Sequence, residues 1–301
     1  MKSAQPINRS VPITAWIKMK PSILLLAFVV QIPVEGSSAC MNWLAILGNL
    51  PHSTVVNLET SDFDAYRHVS SDRYLAVLNK ALPGQDRQSP RSQGLETISV
   101  LRTEIDFKRP ITELGTISVE LSPGTQTNEL SFSIGNDAEK PNAKGHVKLA
   151  APMNIPSSDV PTPYGLPIRY ERNVDIENTP DFDTGSEVLR TVILSRWYVV
   201  KERFGLENQD FLKRGTAFFM KRAEIDLLLP LESVKEVTVT SWASSLSSDR
   251  TELTVPFEVR GADGVCYSRG ILHFAVVAVS SGKPQRSSLP VWVEELFWDK
   301  P

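Results

Sequence analysis

The sequence predicts an α+β protein built from two like units in tandem, and three observations predict it. First, the stretch from Glu59, ETSDFDAYRHVSSDRYLAVLNKA, has a second copy from Thr179, TPDFDTGSEVLRTVILSRWYVVKERFG. Laying Asp64 on Asp183 (183 − 64 = 119) also lays Phe63 on Phe182, Val69 on Val188 and Leu75 on Leu194. Second, each copy is followed by segments whose apolar residues alternate, which is the signature of half-buried antiparallel strands. Third, a segment with five prolines, residues 151–167, separates the two. A chain of 301 residues then divides into two units of about 110 residues, each large enough for its own core.

Residues 1–40 precede the first unit. Met1 to Val34 contains no acidic residue, carries Lys2, Arg9, Lys18 and Lys20, and has an unbroken apolar run from Ile23 to Val30. That run is shorter than the ~20 residues a membrane-spanning helix needs. Three readings stay open: a secretory signal ending near Gly36–Ala39, an organellar transit peptide, or upstream sequence before a true start at Met41. The last would make the protein cytoplasmic, and the paucity of cysteine argues against secretion.

The first unit spans 41–150. Val69, Leu75, Leu78 and Leu82 recur at helical spacing. After a polar Pro- and Gly-containing connection come the strand signals ETISVLRTEIDF, GTISVEL, NELSFSI and GHVKLA, with Ile117, Val119 and Leu121 on one face. One helix followed by an antiparallel meander predicts a sheet that wraps the helix. Residues 151–167 read as a linker. The second unit, 168–280, repeats the pattern with RYERNVDIE, TAFFMKRAEIDLLL, EVTVTSWAS, ELTVPFEVRG and GILHFAVVAV, and with a hairpin turn at Gly261–Gly264. Glu104-Ile105-Asp106 corresponds to Glu224-Ile225-Asp226 (224 − 104 = 120). In the tail, 281–301, the apolar residues Trp292, Leu296, Phe297 and Trp298 predict a terminal turn docked on the body.

Composition excludes several classes of function. A net charge of −3 with interspersed signs offers no basic patch for nucleic acid. Cys40 and Cys266 are the two cysteines, which gives neither a disulfide framework nor zinc-ligand spacing. The chain has no G-x-S-x-G, no G-x-G-x-x-G and no phosphate loop. His52, His146 and His273 form no cluster in sequence.

What remains is a carboxylate set just before a helix start. Exposed amides of a first helical turn can hold a developing oxyanion while a nearby carboxylate takes a proton or attacks. Asp64 fits that role, and it equally fits a helix cap; Asp62 reads as a turn residue. The pattern D-x-D-x-x-x-H-V-x-x-x-x-Y-L from Asp62 to Leu75 resembles the start of the hotdog-fold thioesterases of the 4-hydroxybenzoyl-CoA thioesterase type. FLKRGTAFFMKRAEIDLLLPLESVKEVTVTSW is similar to that family's run of strands, and SSGKPQRSSLP to its closing turn. The tandem arrangement is similar to the double hotdog of plant acyl-carrier-protein thioesterases, although there the fuller motif lies in the second unit and here in the first.

The resemblance implies two hotdog units, each an antiparallel sheet around a central helix, joined as a pseudo-dimer that is itself monomeric or dimeric. It implies hydrolysis of an acyl-CoA or acyl-carrier-protein thioester to free acid and thiol, without metal or cofactor, with the acyl chain in the apolar gap between the units. Asp64 falls on the catalytic carboxylate, as base or nucleophile, and His68 on the family's histidine. Amides around Val69 and Ser70 would polarise the carbonyl, and Ser70 would also donate a hydrogen bond or cap the helix. In the second copy Asp183, Gly185 and Glu187 occupy the matching positions as substrate-binding candidates, with Glu187 either a base or a favourable charge in a first helical turn. The chain departs from the pattern at Arg67, where the family commonly has Gly, at Ser70-Ser71, where it has an Asn pair, and at Tyr66, where the plant enzymes have Asn. A hotdog hydratase or dehydratase, and a non-catalytic acyl-thioester-binding protein, are the alternatives.

Overall fold

The computed structural model describes residues 50–64, 67–82, 100–176, 185–229, 231, 234–279 and 284–299. Residues 1–40 and Asp183 therefore lie outside the described residues. Among the described residues ten main strands make up the sheet. In the first half they are β1 (His52–Asn57), β2 (Val100–Phe107), β3 (Thr116–Pro123), β4 (Glu129–Ile134) and β5 (Ala143–Ala150). In the second half they are β6 (Tyr170–Asp175), β7 (Thr216–Leu227), β8 (Glu236–Ser241), β9 (Glu252–Gly261) and β10 (Cys266–Ala278). The helices are α1 (Ser71–Ala81), α2 (Gly185–Phe204), α3 (Asn208–Lys213) and α4 (Val291–Glu294).

Both halves use one strand order. The sheet runs β1-β3-β4-β5-β2-β7-β10-β9-β8-β6, with two further two-residue strands paired to β9 and β10. Read outward from the centre, the first half is β2-β5-β4-β3-β1 and the second β7-β10-β9-β8-β6, the same order with five added to each number. The halves join antiparallel through β2 and β7, where Glu104 stands directly opposite Glu224. The offset of 120 equates those two residues in sequence, so a local two-fold axis passes between them.

Alternation sets which face is buried. Ile117, Val119 and Leu121 of β3 and Leu253, Val255, Phe257 and Val259 of β9 are buried, and they belong to one core cluster with Leu75, Leu78, Val188 and Val192 from the two long helices. Burying Leu75 and Leu78 at 1% exposure contributes roughly 1.5–3 kcal/mol each. Helices α1 and α2 meet at their first turns, where Ser186 Oγ donates to Asp72 O at 2.9 Å. Each half also places a glycine beside the seam. A Cβ on Gly145 would lie 1.9 Å from Glu104 O and one on Gly270 2.2 Å from Glu224 O, so neither position accepts a side chain.

The opposite face of the seam carries charge. Like charges across a ladder repel, and here Arg222 offsets them by bonding Glu104 at 2.9 Å, Glu224 at 2.9 Å and Asp106 at 3.3 Å. Asp226, fully buried, takes Arg102 at 2.6 Å and the Met153 N–H at 2.5 Å. The proline-rich segment is thereby fastened across the seam rather than left as a free spacer. Pro167 and Leu166 pair with Trp298 and Asp299 of the tail.

Two local features differ from the sequence reading. Phe211, Leu212 and Lys213, read within a run of strands, are helical in α3, because Asp210 accepts the Glu207 N–H at 2.9 Å and caps that turn. The alternation of β7 also changes phase. Ala223, Ile225 and Leu227 are buried, while Phe218 and Met220 line an interior cavity. The register against β10 shifts between His273 and Phe274, and this bulge at Lys221 moves the inward set by one residue. Among the described residues no helix is long and apolar enough to cross a membrane.

Candidate active site

The loop from Asp62 to Ser70 is closed on itself by its own backbone. Phe63 bridges Val69, Asp64 N–H donates to His68 O at 2.8 Å, Arg67 N–H to Asp64 O at 3.0 Å, and His68 N–H to Asp64 Oδ1 at 3.1 Å. Such a tight loop needs one residue in the left-handed region, and Arg67 holds that position at φ 59°. Asp62 serves the turn: its side chain accepts the Glu59 N–H at 2.7 Å and pairs with Arg73 at 3.4 Å. Tyr74 fixes the loop to the segment after β2, since its hydroxyl accepts the Ile111 N–H at 3.1 Å and donates to Arg109 O at 3.3 Å. Burial, reinforced by the nearby Asp64 charge, pushes the Tyr74 hydroxyl up to about 12, so it stays a neutral structural group.

The amides at this helix start are divided. Val69 N–H donates to Ile111 O at 2.9 Å and Ser70 N–H to Asp62 O at 3.0 Å. Both amides, expected to polarise a substrate carbonyl, thus already have backbone acceptors. Ser70 occupies the N-cap position in extended conformation but makes no side-chain cap bond. Among the described residues the next amides, of Ser71 and Asp72, have no acceptor, as the first turn of any helix leaves donors over.

A cavity of about 420 Å³ opens at this point, within the range of roughly 300–1,000 Å³ that small-molecule sites occupy. Exposed Asp64 and half-buried Ser70 and Ser71 stand on its rim. Its wall is α2, through Val192, Arg196 and Val200, and its floor is β7, β9 and β10, through Met220, Val255 and Phe274. Leu296 and Phe297 of the tail close it. The two halves share this space: Phe63, Asp64 and Ser70 to Arg73 of the first half also line it, while the floor and wall belong to the second half, between its helix and its sheet. The reason is that β7 pairs with β2 only from Arg222 to Leu227, and the remainder of the strand continues past the seam to form the floor.

Of the sequence candidates, the cavity brings Asp64 and Ser70 together. His68, Val69, Gly185 and Glu187 are not in its lining. The His68 ring lies 5.9 Å from that of Phe219, Val69 is buried, and Gly185 is buried facing Leu75 of α1. Glu187 sits in the first turn of α2, 3.7 Å from Arg190. The sequence reading missed Arg196 and the lining role of the tail. A signal for Arg196 was available: Val188, Val192, Arg196 and Val200 recur every fourth residue, which puts a guanidinium in a row of buried valines.

No protein-family model matches the chain, and no curated protein sequence matches it. Solved structures do. A Lactobacillus plantarum protein assigned as an oleoyl thioesterase is similar with a TM-score of 0.50 and 11% identity, over 76% of this chain and 98% of that one. The dehydratase domain of RzxB from Pseudomonas fluorescens is similar with a TM-score of 0.50 and 9% identity, over 74% and 93%. At such identities the likeness concerns the fold. Together with the mirrored strand order and paired helices, it makes the architecture a double hotdog.

Proposed function

We propose that the chain hydrolyses acyl thioesters carried on coenzyme A or acyl carrier protein, as its resemblance to the 4-hydroxybenzoyl-CoA and acyl-carrier-protein thioesterases implies. One observation carries this reading: a carboxylate, a helix start with unengaged amides, and an apolar cavity meet at one rim. The acyl chain lies in the cavity and the carrier arm leaves past Asp64. Asp64 takes a proton from water as the water oxygen bonds to the thioester carbon. The Ser71 and Asp72 amides, with the Ser70 hydroxyl, receive the oxyanion. Collapse breaks the C–S bond, and the proton passes to the departing sulfur, giving free acid and thiol. Asp183, Gly185 and Glu187 would belong to the second copy's reduced site, and His68 would orient Asp64 through the loop.

The dehydratase neighbour keeps a second chemistry in view on the same fold. Purified protein incubated with a panel of acyl-CoA and acyl-carrier-protein substrates separates the cases. Free thiol appearing with equimolar acid supports hydrolysis. Enoyl thioester formed from a β-hydroxyacyl substrate without thiol would replace it with dehydration, and binding without either product would leave an acyl-thioester-binding protein.

A further inference from the structure

Arg196 is out of place in an acyl pocket. Its side chain lines the cavity with Val192 and Val200 of the same helix, and its guanidinium lies 4.6 Å from the centre of the Tyr170 ring and 4.8 Å from that of Phe297. Nη1 reaches Ser241 Oγ at 3.5 Å, the outer limit of a hydrogen bond, and Nη2 is closed to solvent and has no acceptor. No carboxylate pairs with it among the described residues. Burial accordingly pushes its pKa down, and it is the nearby Tyr170 that opposes this.

Two aromatic faces recover part of the solvation a buried cation loses, but a guanidinium carries five donors, and here they are almost unused. A charge held out of water without a partner is strongly unfavourable. An apolar-chain pocket would be served better by Leu or Met at this position. The groups absent from the protein are therefore those a ligand would bring: a planar pair of anionic oxygens, which matches the guanidinium fork.

Building on the thioesterase reading, we propose that Arg196 anchors a carboxylate at the far end of the acyl chain, so that the substrates are thioesters of dicarboxylic acids, bound with the thioester at Asp64 and the free carboxylate between Tyr170 and Phe297. The valine row and the apolar floor hold the methylenes between these two polar ends.

The test compares suberoyl-CoA with octanoyl-CoA as substrates and, separately, suberate with octanoate as ligands of the full chain by calorimetry. A charge-assisted hydrogen-bonded anchor predicts about 10- to 100-fold tighter binding of the carboxylated member of each pair. Arg196→Met should abolish that preference and Arg196→Lys should retain part of it. Equal affinities in the wild-type protein, or a preference that survives Arg196→Met, would overturn the anchor. The two readings fail separately. Thiol release without discrimination removes the anchor and keeps the hydrolase, whereas preferential suberate binding without thiol release does the reverse.

Discussion

The two halves share a strand order and differ in size. β7, β9 and β10 run 12, 10 and 13 residues, while their counterparts β2, β4 and β5 run 8, 6 and 8. The excess of four to five residues (12 − 8, 10 − 6, 13 − 8) extends the second sheet by about 13–17 Å at ~3.3 Å per residue. Its helix has 20 residues against 11. Part of that added length lines the cavity, through Phe218 and Leu253, whereas Val255 and Phe274 stand where Leu130 and Leu149 stand in the first half (255 − 130 = 125, 274 − 149 = 125). The first half, meanwhile, supplies Asp64 and the helix start at the rim. In a symmetric dimer one sequence must build both the rim and the container. A single chain with two halves is free to divide them, and here the first half contributes Asp64 and the helix start while most of the lining comes from the second.

The largest expected effect tests that division directly. If the first half supplies the reacting carboxylate, Asp64→Asn should lower turnover by roughly 100- to 10,000-fold. The exposed side chain keeps an oxygen for the His68 N–H, so thermal stability should change little. Asp183→Asn, at the matching position of the second copy, should cost far less. The opposite ranking would move the chemistry into the half that supplies most of the cavity lining, and equal losses would mean two working sites.

Much of this division was open to reading in the sequence, and what was hidden has physical causes. Alternation identified β3 and β9, and the repeat offset equated Glu104 with Glu224, because both depend on spacing alone; that these two meet at the seam comes from the strand pairing. The phase change in β7 was hidden: Phe218, Phe219 and Met220 are all apolar, so the run carries no alternation from which a bulge could be read. The fate of the Val69 amide was hidden as well, since its acceptor, Ile111 O, comes from a segment 42 residues away (111 − 69) and is brought in by Tyr74. Gly185 and Glu187 were read by position in the copy, yet the first turn of α2 is used for packing against α1.

A middling effect sharpens the comparison at the seam itself, where equivalent residues of the two halves meet. Hydrogen bonds from His273 and Arg222 hold the Glu224 carboxyl down at about 2, below its usual value of 4.5. A folded-state pKa below the unfolded one adds stability that is fully present above the unfolded value and is lost as pH falls toward 2. The shift of 2.5 (4.5 − 2) corresponds to at most about 3 kcal/mol, and solvent screening at a half-exposed group reduces it to about 1–2 kcal/mol. Glu224→Gln should therefore be less stable at pH 7 and should lose less than wild type between pH 5 and pH 2, as followed by denaturant unfolding at each pH. Parallel losses in the two proteins would show that the seam is held by shape and not by this charge.

The smallest expected effect concerns the loop that carries Asp64. At Arg67 the backbone adopts φ 59°, a conformation that costs a non-glycine residue about 1–2 kcal/mol. Glycine removes the steric cost but raises the entropy of the unfolded chain, by roughly 0.5–1 kcal/mol. Arg67→Gly should on balance stabilise the fold by up to about 1 kcal/mol, while Arg67→Val, β-branched at positive φ, should destabilise it. Thermal unfolding of the two variants measures both signs. The exposed Arg67 side chain leaves little packing to lose, so a destabilising Arg67→Gly would mean that the guanidinium holds the Asp64 loop through its own contacts, and that the first half's rim depends on the arginine as well as on the turn.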